Sequence, residues 1–164
     1  MKVHIIGGPG SGKTTLAESL SKKYGIPHCD LDDLQWDNTT GGYGTKRDPV
    51  ARDAMLRSVL EKESWIIEGV YYAWCGQCFE DADRIIVLDV PRRVYRSRII
   101  RRFIRRKLRL ERGKRETLRS LKELLNWADK YARVNLVEIR KRLCAYPDKV
   151  VEWTGKEEND RCRF

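Results

Sequence analysis

Gly7-Gly8-Pro9-Gly10-Ser11-Gly12-Lys13-Thr14 decides the reading of this chain. The spacing is G-x-x-x-x-G-K-[ST], in which a glycine-rich turn exposes successive backbone N–H groups to an anion and a lysine and a hydroxyl follow at its end. Glycine is required there because a loop wrapped around phosphates needs positive φ angles and close backbone approach, which a Cβ would obstruct. The amides suit the α- and β-phosphates of a nucleotide, the Lys13 ammonium the β- and γ-phosphates, and the Thr14 hydroxyl a Mg²⁺ ion.

The flanks give the loop its context. Val3-His4-Ile5-Ile6 is a short apolar, β-branched run that ends at Gly7, as a buried parallel strand does. Beyond the loop, Leu16, Ala17 and Leu20 recur at helical spacing, with Glu18 and Lys22 one turn apart on the polar side. Strand, glycine loop and helix therefore come in the order that aims a helix N-terminus, with its partial positive charge, at a bound anion.

Similar apolar runs recur at Pro27–Asp30, Trp65–Glu68, Ile85–Asp89 and Val150–Trp153, with helical patterns between them. Such alternation predicts parallel strands joined by right-handed crossovers, hence a three-layer α/β/α domain with ligands at the carboxyl ends of the strands. Trp36–Lys46 interrupts it with the chemistry of a long loop, a segment that is usually functional in a compact domain.

At 164 residues one domain is expected, able to bury about 70% of its unfolded surface without a metal or disulfide staple. No apolar run approaches the roughly 20 residues needed to span a membrane. The start of the sequence enters the first strand without a leader pattern, and the five cysteines are odd in number and irregular in spacing. A cytoplasmic, reducing location is the expectation.

The net charge of +10 predicts an anionic partner, and most of the excess is local. Twelve arginines lie between Arg92 and Arg119. Tyr95, Ile99 and Phe103 form an apolar stripe with Ile100, Ile104 and Leu108 beside it, so a helix with one buried side is expected, ending near Gly113. Leu118, Leu121, Leu125 and Ala128 suggest a second helix.

No guanine-reading Asn-Lys-x-Asp is present, which argues against a GTPase. The chain resembles the nucleoside monophosphate kinase-like superfamily, with its nearest likeness to the bacterial topology modulation proteins, which are adenylate kinase-related. The likeness is carried by Gly7–Thr14, Leu31-Asp32-Asp33-Leu34-x-Trp36, Trp65-Ile66-Ile67-Glu68-Gly69-x-Tyr71 and Asp83-Arg84-Ile85-Ile86-Val87-Leu88-Asp89-x-Pro91. It implies a five-stranded parallel sheet of order 2-3-1-4-5, a core of about 1–100 and 134–164, and a short arginine-rich lid of about 101–133. It also implies ATP-dependent phosphoryl transfer to a small acceptor.

By the same likeness ATP is bound by Gly8, Pro9, Gly10, Ser11, Gly12, Lys13, Thr14 and Thr15, with Gly155 presenting backbone to the adenine. Glu68 stands where such kinases keep an acid that orients a water on Mg²⁺. Asp89 is its rival for this role, although the family's strand order places it on the far side of the first strand, where capping the next helix is the alternative. Arg98-Ile99-Ile100-Arg101-Arg102 is similar to the segment that opens an adenylate kinase lid, placing Arg98 over ATP and Arg102 on the transferring phosphoryl group. Guanidinium forks suit the charge on its three equatorial oxygens. Arg142, in the segment Leu136–Leu143, is a further clamp candidate.

On the acceptor side, Asp30 and Asp32 are two apart at the end of a strand, so extended backbone would point both carboxylates the same way. One could assist Mg²⁺ and the other, Asp32, take a proton from an acceptor hydroxyl. A nucleoside monophosphate would instead need basic clamps such as Lys46, Arg47 and Arg52, and the residues leave both classes open. Trp36, Tyr43, Tyr71, Tyr72 and Trp74 could stack on a planar acceptor.

Two other readings compete. Cys75-Gly76-Gln77-Cys78 has redox spacing, yet Phe79–Arg84 is too short for the helix such a site needs before the next strand, and zinc would require two more ligands. A nucleic-acid-binding ATPase gripping phosphates with residues 92–119 is the second choice to the kinase.

Overall fold

A computed structural model describes residues 1–37, 44–108, 110 and 117–154. Five strands form one wholly parallel sheet: β1 (Lys2–Gly7), β2 (His28–Asp30), β3 (Trp65–Gly69), β4 (Arg84–Leu88) and β5 (Val150–Trp153), in the order β2-β3-β1-β4-β5. Both the strand positions and the expected order are found. Asp89 lies just beyond β4, although its backbone N–H still bonds the Trp153 carbonyl at 2.9 Å.

Central β1 is buried on both faces, as a parallel sheet between helices demands. Val3 and Ile5 point to one side, where Ile66, Ile86 and Leu88 pack with Ala17 and Leu20 of α1 (Lys13–Tyr24). Ile6 points to the other, with Trp65, Ile67, Ile85 and Val87. That face is covered by α2 (Leu31–Gln35), α3 (Pro49–Leu60), α4 (Gly76–Asp81) and, across a later stretch, α7 (Leu136–Leu143). Ile67 is fully buried, so its truncation to alanine would leave a cavity costing about 2–5 kcal/mol.

Helix α5 (Arg92–Lys107) buries Tyr95, Ile99 and Phe103 as the stripe predicts. It ends at Lys107, short of Gly113, and Ile100, Ile104 and Leu108 are 38%, 49% and 63% exposed. After Phe103 no further apolar residue of the helix is buried, so packing does not hold additional turns. Helix α6 (Leu118–Lys130) starts on a reciprocal Thr117–Ser120 capping box and packs through Ala128 onto Val90, Tyr95 and Ile99. A π-turn over Tyr131–Asn135 joins it to α7.

Among the described residues no helix is long and apolar enough to cross a membrane. Gly155, Tyr43, Arg109 and Gly113 fall outside the described residues.

Candidate active site

The loop between β1 and α1 has the backbone that its glycines require: Gly10 and Gly12 hold φ at +74° and +100°. Helix α1 begins on Gly12 with no side-chain cap and no acid in its first turn. Its first N–H groups are therefore left for an external anion.

Lys13 and Thr14 converge on Glu68 at the end of β3. Thr14 Oγ1 donates to Glu68 Oε1 at 2.6 Å, and Lys13 Nζ stands 3.7 Å from Oε2, which has no hydrogen-bond partner among the described residues. Strand pairing explains the convergence, since Ile5 of β1 is in register with Glu68 and the loop starts two residues later. Glu68 is fully buried. Burial alone would raise its pKa, but His28, Lys13 and Thr14 together hold it below the usual carboxylate range. His28, on β2, lies 3.8 Å from Oε1, and the carboxylate raises the histidine's pKa in return.

Asp30 pairs in register with Glu68. Burial first, and then the neighbouring Glu68 charge, push its pKa up to about 6. The oxygens of Thr14, Asp30 and Glu68 form a hard donor set. Among the described residues no group of three or more His, Cys, Asp or Glu is arranged to hold a metal. A set with two carboxylates fits Mg²⁺, which keeps waters and takes its remaining ligands from phosphate oxygens, better than an ion needing a full protein cage.

Arg98 and Arg102 lie across from the loop. They line a cleft of about 260 Å³ with Gly10, Gly12, Lys13, Thr14 and Thr15. Arg98 Nη1 donates to the Ser11 carbonyl at 2.7 Å and lies 3.4 Å from that of Gly10. Gly8 and Pro9 face the other way, enclosing a small cavity with Tyr95, Tyr131 and Leu136. A second cleft, of about 500 Å³, opens beside the first between Ser11, Leu16, Val90, Arg98 and Trp153.

Asp32 is not on β2 as the two-residue spacing suggested. The strand ends at Asp30, whose side chain caps α2 by accepting from the Asp32 N–H at 2.8 Å, so Asp32 sits in the first helical turn. Aspartate competes well for a helix N-terminus, and here capping outweighs continued extension. Tyr71 OH donates to Asp32 Oδ1 at 2.6 Å. Asp32 opens onto a cavity of about 930 Å³ that Trp36, Lys46, Arg47, Arg52, Tyr71 and Trp74 also line. Trp127 of α6 lines it as well.

Other candidates have structural partners. Asp89 does not cap α5, which has no side-chain cap, but pairs with Arg140 at 2.7 Å. Arg142 Nη1 donates to the Tyr72 carbonyl at 3.0 Å. The helix that follows Cys75, α4, is only six residues long before β4 begins. Both Cys75 and Cys78 are fully buried, and Cys75 Sγ lies 3.0 Å from the Tyr71 carbonyl, a contact that the protonated thiol makes. Trp127, His28 and Trp153 carry no signal in the sequence, because each reaches the site from a distant element with no local motif around it.

No protein-family model matches the chain. It is 26% identical over 141 residues to the uncharacterized protein YqaC of Bacillus subtilis, covering 85% of this chain and 77% of that one. It is 31% identical over 119 residues to a mitochondrial GTP:AMP phosphotransferase of Drosophila melanogaster, covering 61% of this chain and 55% of that protein. An adenylate kinase of Caldicellulosiruptor saccharolyticus is 35% identical over 68 residues, 42% of this chain and 31% of the kinase. Among solved structures, a shikimate kinase from Bacteroides thetaiotaomicron superposes with a TM-score of 0.51 at 20% identity, over 94% of this chain and 85% of that one. The loop and the sheet order agree with these likenesses, which make the chain similar to P-loop kinases of the nucleoside monophosphate kinase-like superfamily.

Proposed function

We propose that the protein is a kinase that moves the γ-phosphoryl group of Mg-ATP to a small acceptor of the nucleotide or nucleoside-like class, working in the cytoplasm. The observation that carries this reading is the convergence of Lys13 and Thr14 on buried Glu68, with Arg98 and Arg102 facing them across a cleft. The domain would act as a core with an arginine-rich lid of about 101–133, and the likeness to topology modulation proteins agrees with it.

In this mechanism the backbone N–H groups of Gly10, Gly12, Lys13, Thr14 and Thr15, which line the cleft, bind the phosphate chain, and Lys13 neutralises its outer oxygens. Thr14 and Asp30 would hold Mg²⁺, with Glu68 acting through a water. Bound there, the ion would offset charge between the β- and γ-phosphates. Glu68 accepts the Thr14 proton and so turns a hydroxyl lone pair toward the metal position. Arg98, anchored on loop carbonyls, keeps the lid helix against the phosphates, and Arg102 reaches the transferring group. Asp32 holds the proton-accepting position toward the acceptor. Gly155, outside the described residues, would lie against the adenine.

ADP formation from Mg-ATP across candidate acceptors tests the proposal, with Lys13→Ala as control. Stimulation by an acceptor that disappears in Lys13→Ala supports it. Rates untouched by Lys13→Ala exclude it.

A further inference from the structure

We propose that the acceptor is a neutral molecule bearing a hydroxyl group close to a planar ring, of the nucleoside class, and not a nucleoside monophosphate; the inference rests on the kinase reading above. Three features of the cavity beside the phosphate cleft point the same way.

The first is the acid at its rim. Tyr71 fixes one oxygen of Asp32 at 2.6 Å, and the other oxygen has no hydrogen bond among the described residues. A hydroxyl nucleophile needs such a base, whereas a phosphate monoester is already anionic and would be repelled by a carboxylate at the point of attack. The Asp32 N–H bonds the Asp30 carboxylate at 2.8 Å, Asp30 is in register with Glu68, and Lys13 stands 3.7 Å from Glu68, so the rim acid lies toward the phosphate end of the site.

The second feature is how the cavity's cations are used. Arg47 directs its guanidinium to the backbone carbonyls of Leu34 at 3.0 Å, Trp36 at 3.3 Å and Asp33 at 3.5 Å. Arg52 pairs with Asp53 at 2.7 Å and lies 4.3 Å over the Trp74 ring. Among the described residues Lys46 is the remaining cation that lines the cavity. Bidentate phosphate recognition needs open guanidinium forks, and both forks here are turned to other partners.

The third is the ring content. Trp36, Tyr71, Trp74 and Trp127 line the same cavity, and Trp127 is 41% exposed on a helix whose other face is packed. A planar ligand would cover that indole, since bases stack on aromatic faces whatever their sequence identity. A non-aromatic polyol would use the base but not these walls.

The transfer balances without a further reactant. The acceptor oxygen forms a bond to the γ-phosphorus as the bond from that phosphorus to the β–γ bridging oxygen breaks, its electron pair leaving with ADP. The hydroxyl proton passes to Asp32 and from there to water.

The test uses the full chain with Mg-ATP and, in separate reactions, the four common ribonucleosides, their 5′-monophosphates and glycerol, reading ADP release and the mass of the product. The expected result is a phosphorylated nucleoside and ADP release about 100-fold above that with ATP alone. Asp32→Asn should lower kcat about 100-fold, and Tyr71→Phe should lower it less. Trp127→Leu should raise the nucleoside KM by about 10-fold while ATP affinity is kept. Stimulation by monophosphates or glycerol instead of nucleosides overturns the assignment. Calorimetric titration with a non-hydrolysable ATP analogue separates the two levels of failure. Binding that is lost in Lys13→Ala, without nucleoside turnover, overturns the acceptor class alone, whereas absence of binding overturns the kinase reading with it.

Discussion

Thr14 Oγ1 and Glu68 Oε1 are joined by a 2.6 Å hydrogen bond that spans 54 residues of sequence and connects the phosphate loop to the neighbouring strand. Because the carboxylate accepts, the hydroxyl proton is fixed toward β3 and the oxygen lone pairs face the cleft. Lys13, 3.7 Å from the other carboxylate oxygen, is held in the same grip. Glu68→Gln keeps the shape and removes the charge. It is expected to raise the Mg²⁺ concentration needed for half-maximal rate and to lower kcat by about 10-fold or more. Asp89→Asn should leave both near wild type, because Asp89 serves Arg140, which also bonds Glu152 at 2.6 Å. Initial rates over a Mg²⁺ series compare the two variants, and a larger loss in Asp89→Asn would transfer the metal role to that residue.

Burial of Asp30, and then the neighbouring Glu68 charge, make stability depend on pH in a direction opposite to most aspartates. Asp30 titrates near 3.8 when unfolded and at about 6 in the fold. The native state therefore binds the proton more tightly, and its advantage is full below pH 3.8 and lost as pH rises toward 6. Above that, the ionised side chain is a net cost. Asp30→Asn should stabilise the metal-free protein at pH 7 by about 1–2 kcal/mol, a value reduced for partial solvent screening. The gain should vanish near pH 4. Urea melts at pH 4 and 7 measure it, and equal gains at both would remove burial and Glu68 as the cause.

Asp129 behaves conventionally and clasps α6 to α5. Its carboxylate accepts from Arg92 at 2.6 and 3.2 Å, from Arg96 at 2.8 Å and from Tyr95 OH at 2.8 Å. Arg92 foremost, then Tyr95 and Arg96, hold its pKa down at about 2. The stabilisation is present above pH 3.8 and lost as pH falls through about 2. Both guanidiniums remain partly in water, so Asp129→Asn should cost only about 1 kcal/mol. The effect should be local. Faster amide exchange across Leu118–Lys130, with the β1 amides unchanged, is the expected pattern, and uniform loss of protection would mean that the clasp holds the whole fold.

What the sequence discloses depends on the range over which its physics acts. The phosphate loop is legible because its glycines, lysine and threonine act through local backbone, and the buried strands because their apolar runs are short and bounded. The sheet order comes from the likeness and not from any pattern of residues. Spacing alone misplaces Asp32 on an extended strand because Asp30 takes the cap position just ahead of α2, a choice made by a single side-chain bond. The end of α5 goes with the loss of buried apolar contacts after Phe103, which is a property of packing. Trp127 and Trp36 line one cavity although 91 positions of sequence separate them, and no local spacing records that.

Trp153 ends β5 and, with Leu16, Val90 and Arg98, lines the cleft of about 500 Å³ beside the phosphate loop. The phosphate chain would lie over Gly10–Thr14, so this neighbouring cleft is where the nucleotide's ring would be directed. An indole and a guanidinium are both suited to a planar base, which each can meet with a flat face. Trp153→Ala should weaken ATP binding by about 1–3 kcal/mol, raising Kd roughly 5- to 150-fold, and inorganic triphosphate should bind the variant as it binds the wild type. Competition between a fluorescent ATP analogue and each ligand makes the comparison. Equal weakening toward both ligands would show that Trp153 shapes the loop and does not touch the base. Arg98→Ala should weaken both, because that side chain bonds the loop carbonyl of Ser11 at 2.7 Å and also lines the phosphate cleft.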